Sequence, residues 1–326
     1  MAAIPRILVA VKNPWARSMP AVEKAVQLAR SLDAEVRLFH SLSDPVVVDV
    51  REIQNLATLE RNRRERVLAQ LESLAKRQGR GVTVTVGAEW DFPVHEAVIR
   101  AAQQFKAALI VAELHPATHR MPWLLRFTDF ELLRLSPMPV LLVKLRQPYE
   151  RPAVLAALDP SHARAKPAGL DAQILRYGSS VARALRGALH AVHACNSITT
   201  TSALPRIGAI GTVSIETAAR SEAKARAALD RAVRSAVVRS RRHVLAQHPA
   251  DAIDAVAREI EARIVVMGAI SRSGPRRLMI GNTAEKLLDR LSCDVLVVKP
   301  VDFPSRVPTK ARGAQMIVHS GVQAGY

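Results

Sequence analysis

A chain of 326 residues with 49% apolar content can bury two ordinary cores of about 150 residues each. Its 47 lysines and arginines against 29 aspartates and glutamates leave a surplus of +18, which favours anionic partners such as nucleotides, nucleic acid or membrane headgroups. No apolar run reaches the roughly 20 residues that a membrane span needs, and aromatics at 4% supply few stacking platforms for nucleic acid.

Met1 to Arg6 leads straight into ILVAV, without the basic and apolar stretches of a secretory signal. That run, Ile7 to Val11, reads as a buried strand. A helix with Val22, Val26, Ala29 and Leu32 on one side follows, then a strand from Glu35 to His40 and a long helix over Glu52 to Arg77. Val82 to Val86 alternates as a third strand, Val94 to Gln104 makes a helix, and Leu109 to Ala112 and Val140 to Val143 close a sheet. Gln147 to Pro152 is a linker.

The same order then recurs. Val154 to Leu158 is a strand, followed by a helix with Ile174, Gly178, Val181 and Leu185 inward, and a strand from Leu189 to His193. A Ser-, Thr- and Gly-rich loop covers Ser197 to Ser214. The basic stretch Arg220 to Arg242 reads as a helix with Ala225, Leu229, Ala232 and Ala236 inside and its charges solvated. His243 to Ala246, Ile264 to Met267 and Val295 to Val298 are strands, with a helix over Ala252 to Glu261. Strands alternating with helices predict an α/β protein of two tandem open parallel-sheet domains, 1–147 and 152–301. Residues 302–326 lack apolar periodicity and are expected to form a flexible tail. Cys195 and Cys293 read as buried free thiols of a reducing compartment, so the expected location is cytoplasmic.

The repeat can be aligned residue by residue. Shifting Leu109 to Lys144 by 155 residues lays it on Ile264 to Lys299 without a gap. The chemistry differs between the copies: Glu113 stands at Gly268, Pro116 at Ser271, Arg126 at Gly281 and Phe127 at Asn282. In the second copy, Gly268 ends a β-branched run, a small-residue and arginine loop follows, and Gly281-Asn282-Thr283 opens a helix. Glycines admit an anion close to backbone amides, and a helix start points unpaired N–H groups at it. The loop is thus a candidate phosphate cradle, though no Gly-Lys-Ser/Thr makes it a Walker loop. Asp159, just beyond its strand, is placed to accept hydrogen bonds from an adenine amino group or a ribose, whereas the first half has Lys12 or Asn13 there. Arg272 is the loop arginine nearest the first glycine. A purely structural reading stands beside this one: Asn282 is a good N-cap, and Glu285 completes a capping-box-like pattern.

Assembled, these residues resemble the universal stress protein family, in particular its tandem E-type members. The family's nucleotide motif is glycine, two residues, glycine, nine residues, glycine, then Ser, Thr or Asn. Gly268, Ser271, Gly281 and Asn282 fall at that spacing, with serine in place of the second glycine. The resemblance implies Rossmann-like domains of the adenine-nucleotide alpha-hydrolase type packed as a pseudo-dimer through VLLVK and VLVVK. It also implies an ATP or AMP site, with Mg where ATP binds, lined by Asp159, Ala194, Gly268, Ser271, Gly281, Asn282 and Thr283; Arg272, from its place in the loop, is the arginine expected to contact a phosphate. A homodimer and a protein partner are compatible with it.

No Ser-His-Asp order and no credible carboxylate pair marks a catalytic centre; slow ATP hydrolysis would rest on positioning and metal-assisted charge neutralisation. Glu113, His115 and His119 have a metal-like composition, but Pro116 breaks any helix aligning the histidines. His190, His193 and Cys195 invite the same idea, yet His40 occupies the place of His193 in the first half, which points to a role in the fold. The alternative function is a non-nucleotide adaptor that offers its crevices to a protein or lipid-like ligand.

Overall fold

The computed structural model describes residues 4–49, 56–114, 122–162, 169–195, 215–268 and 287–319. They form two compact units, Met1–Pro148 together with Pro304–Tyr326, and Tyr149–Phe303.

In the first unit, β1 (Arg6–Ala10), α1 (Pro20–Leu32), β2 (Glu35–Leu42), β3 (Val46–Asp49), α2 (Leu56–Gln78), β4 (Val84–Trp90), α3 (Val94–Gln104), β5 (Leu109–Glu113), α4 (Pro122–Leu135) and β6 (Val140–Val143) follow one another. The sheet order is β4-β2-β1-β5-β6, and every pairing within it is parallel. Such strands are covered on both faces, which is why their apolar runs are continuous rather than alternating. Ile7, Leu8 and Val9 of β1 and Leu109 to Val111 of β5 are wholly buried, and α1 lays Ala21, Val22, Ala25, Leu28 and Ala29 into the core.

The second unit repeats this plan with β7 (Ala153–Leu158), α5 (Leu170–Ala184), β8 (Ala188–Ala194), α6 (Ile215–Val233), β9 (Arg242–Leu245), α7 (Pro249–Glu259), β10 (Ile264–Gly268) and β11 (Asp294–Val298). Its order, β9-β8-β7-β10-β11, is also all parallel. The 155-residue offset holds for the fourth strand at both ends: β5 begins at Leu109 and ends at Glu113, and β10 begins at Ile264 and ends at Gly268. Gly178 faces inward as expected; a Cβ there would lie 3.2 Å from Leu189 Cδ1, so α5 sits close to the sheet.

Several expectations require correction. The basic helix stops at Val233, with Arg234 at φ 45°, and Ala236 is exposed rather than inward; Val233 and Val237 are the buried residues. The cause is Arg242, which folds back so that its guanidinium ion-pairs with Asp230 at 2.7 Å and donates to the carbonyls of Arg234 and Val237. Those carbonyls lie just beyond the helix, where a cation is favoured. The third strand is Val84–Trp90, starting two residues later and running four further than expected, and α4 and β3 had no counterpart in the sequence reading. Residues 302–326 are not simply a tail. Val307 is buried, and β12 (Met316–His319) pairs in parallel with β3, Met316 opposite Val46 and His319 opposite Asp49.

Candidate functional site

In open parallel sheets the ligand crevice lies beyond the carboxyl ends of the strands where the strand order reverses. In the second unit this point falls between β7 and β10, which pair with Ile264 opposite Val154 and Val266 opposite Ala156. Three of the expected residues meet at that edge. Gly268 ends β10, Asp159 directly follows β7, and Ala194 ends β8, whose His193 lies opposite Leu158. Ser271, Arg272, Gly281, Asn282 and Thr283 lie outside the described residues. Beyond them, Leu287 to Arg290 are helical, with Leu287, Leu288 and Leu291 buried.

The strand ends are held by bonds that the sequence did not announce. Asp159 N donates to Asp171 Oδ1 at 3.3 Å, from the first turn of α5, where a carboxylate also suits the helix dipole. His193 is 1% exposed; its Nδ1 lies 3.2 Å from the Leu158 carbonyl and its Nε2 2.7 Å from Ser161 Oγ. A carbonyl only accepts, so Nδ1 carries the proton and the Ser161 hydroxyl donates to Nε2. The turn Pro160–His162 is thereby fastened to β8. His40 does the equivalent in the first unit, its Nδ1 donating to the Val11 carbonyl at 2.7 Å. Burial lowers the His40 pKa, with the carbonyl bond opposing that in part. The repeated histidine thus serves the fold. His190, three residues from His193, points to the other sheet face, as strand alternation requires, and its Nδ1 meets His243 Nε2 at 3.2 Å. Among the described residues no three His, Cys, Asp or Glu side chains converge on a metal position.

Gly268 has a tight neighbour. A Cβ there would stand 2.7 Å from Leu170 Cδ2, at the start of α5. A larger residue at this strand end would have to push the Leu170 side chain aside, whatever binds above it.

The corresponding edge of the first unit is filled by its own charges. Lys12 Nζ lies 2.7 and 3.1 Å from the carboxylate oxygens of Asp129, a side chain 3% exposed on α4. Glu113 Oε1 accepts from the Ala21 amide at 3.1 Å, within the first turn of α1. One carboxylate thus neutralises the helix start while the other pairs the lysine. The repeat alignment puts Ala284 at the position of Asp129. The acids Asp129 and Glu131 within LLRFTDFELL are the one sequence signal that this pair offered.

No helix among the described residues is long and apolar enough to cross a membrane. The family model described as the universal stress protein family matches residues 4–144 and again 154–299. A universal stress protein E homolog of Haemophilus influenzae is 30% identical over 175 residues, 53% of this chain and 55% of that one. The chain thus spans little more than half the length of that curated relative. A functionally unknown Pseudomonas aeruginosa protein of known structure is similar at 25% identity with a TM-score of 0.66, covering 92% of this chain and 94% of that one. A universal stress protein of Archaeoglobus fulgidus, 17% identical, shares the fold with a TM-score of 0.58 over 92% of this chain and 97% of that one. Two family matches in succession, on two sheets of the same strand order, make the conclusion plain: the chain belongs to the universal stress protein family, with two of its domains in tandem.

Proposed function

We propose that this protein is a cytoplasmic stress-response protein whose second domain binds ATP or AMP, with Mg accompanying ATP. The observation that carries the reading is the meeting of Asp159, Ala194 and Gly268 at the strand-order reversal of β7 and β10. Asp159 offers a carboxylate to the adenine or ribose end, and its backbone is fixed through Asp171. Ala194 adds no bulk at the crevice wall. Gly268 begins the motif whose remaining members, Ser271, Gly281, Asn282 and Thr283, supply the phosphate end, with Arg272 beside it. In this reading ATP serves as a bound signal, with at most slow hydrolysis. The first domain does not share this chemistry, because Lys12 is committed to Asp129 and Glu113 occupies the start of α1.

Equilibrium titration with labelled ATP tests this, with one site per chain expected and Gly281→Trp abolishing it. Absence of binding at millimolar nucleotide refutes the reading. The adaptor alternative draws support from Leu170, which gives Gly268 a packing reason independent of any ligand. Under that alternative Gly281→Trp leaves partner binding intact.

A further inference from the structure

The outer face of α6 and the turn after it carry charge that the fold does not use. From Arg220 to Arg242 stand eight basic residues and two acids, Glu222 and Asp230. Both acids are taken, Glu222 by Arg226 at 3.5 Å and Asp230 by Arg242 at 2.7 Å. Ala225, Leu229 and Val233 form the buried line of the helix. At about 100° per residue, Lys224 and Arg231 fall on the side opposite that line, with the exposed Ala227 between them.

Beyond Val233 the chain makes a compact turn. Arg242 donates to the carbonyls of Arg234 and Val237, and the Arg241 amide donates to the Val238 carbonyl at 3.0 Å. The carbonyls that a cation would cap at this helix end are thus already served. Arg234, Arg239 and Arg241 nevertheless stand exposed in the same turn, around a Val238 that is 54% exposed. Among the described residues no carboxylate is bonded to Lys224, Arg231, Arg234, Arg239 or Arg241.

Like charges gathered without counter-charge raise the local potential and attract an anionic surface. The residues set among the cations decide which surface. Ala227 and Val238 have no side-chain group with which to read or grip a nucleic acid. No aromatic residue lies between Arg220 and Arg242 to stack on bases. Both apolar residues gain, however, by leaving water at the boundary between lipid headgroups and acyl chains.

We propose that the outer face of α6 and the turn from Arg234 to Arg242 dock on an anionic lipid bilayer. Lipid phosphates accept hydrogen bonds from Lys224, Arg231, Arg234, Arg239 and Arg241, and Val238 enters the headgroup boundary. The attachment is peripheral and makes no use of the crevice at β7 and β10.

Sedimentation of the full-length chain with vesicles tests this. Vesicles of phosphatidylcholine alone should bind little. Those containing about one-third phosphatidylglycerol should bind the chain and release it at about 0.5 M salt. Each basic group at such a surface contributes about fivefold, so Arg234→Gln, Arg239→Gln and Arg241→Gln combined should lower the partition coefficient about a hundredfold. Arg61→Gln, Arg66→Gln and Lys76→Gln, at exposed positions of α2, remove the same net charge and should change it by less than about fivefold. Val238→Ser should weaken binding about fivefold and leave its salt dependence unchanged. All these side chains are exposed, so thermal melts of the variants should match the parent's. Equal binding to the two kinds of vesicle overturns the proposal, as does an equal loss in the α2 control. Binding that survives the three arginine replacements, or that ignores Val238→Ser, overturns it too. A DNA duplex held more tightly than the vesicles at about 0.15 M salt, and weakened by the same three replacements, assigns the surface to nucleic acid instead.

Discussion

Lys299 offers a quantitative test of the second core. It follows β11, is 4% exposed, and has its Nζ 4.4 Å from the centre of the Phe303 ring. Burial lowers its pKa from 10.5 to about 8. The folded state therefore binds fewer protons than the unfolded chain between those values, and stability rises with pH across that window. At about 1.4 kcal/mol per pH unit, the interval corresponds to about 3 kcal/mol of stability that is present above pH 10.5 and lost as pH falls through 8. Lys299→Met keeps the apolar stem and removes the charge. It also removes the cation–π contact, worth about 0.5–2 kcal/mol. Desolvation wins, so the variant should be more stable than the parent by about 1–2 kcal/mol at pH 7. Urea unfolding of both chains at intervals from pH 7 to 10 gives the answer, since all other titrating groups cancel in the difference. The two stabilities should converge as pH rises. Parallel curves, or a destabilised variant at pH 7, refute the reasoning.

Gly268→Ala drives a methyl group against Leu170 and should cost about 1–3 kcal/mol; adding Leu170→Ala should be markedly less than additive in a thermal double-mutant cycle. His190 and His243 both have pKa values lowered chiefly by burial, so the folded chain resists their protonation. Their contribution to stability is present above the ordinary histidine value of 6.5 and is lost as pH falls through the lowered values. His243→Gln should flatten the loss of urea resistance between pH 7 and 5 relative to the parent, and an unchanged slope tells against the pair.

The strands of both sheets were legible because β-branched runs such as Ile7 to Val11 and Ile264 to Met267 are buried on both faces and need no alternation. The gapless repeat gave the fourth strand of each unit and, with it, the contrast between Glu113 and Gly268. What escaped was decided by partners remote in sequence. β3 and β12 are four residues each, and each is a strand only because the other lies beside it. The early end of α6 is imposed by Arg242 from outside the helix. The Lys12–Asp129 pair joins residues 117 apart, and the crowding at Gly268 comes from the Leu170 side chain, which no local pattern reveals. At the candidate site, the strand-end positions of Asp159 and Gly268 followed from sheet topology, and Ala194 from the family resemblance.

Glu113 has a further consequence. A helix start neutralised by a covalently attached carboxyl group stays neutralised at every solute concentration. The front half of the chain is therefore hard-wired at this position. An anion arriving from solution meets that helix start already satisfied, at whatever concentration it reaches.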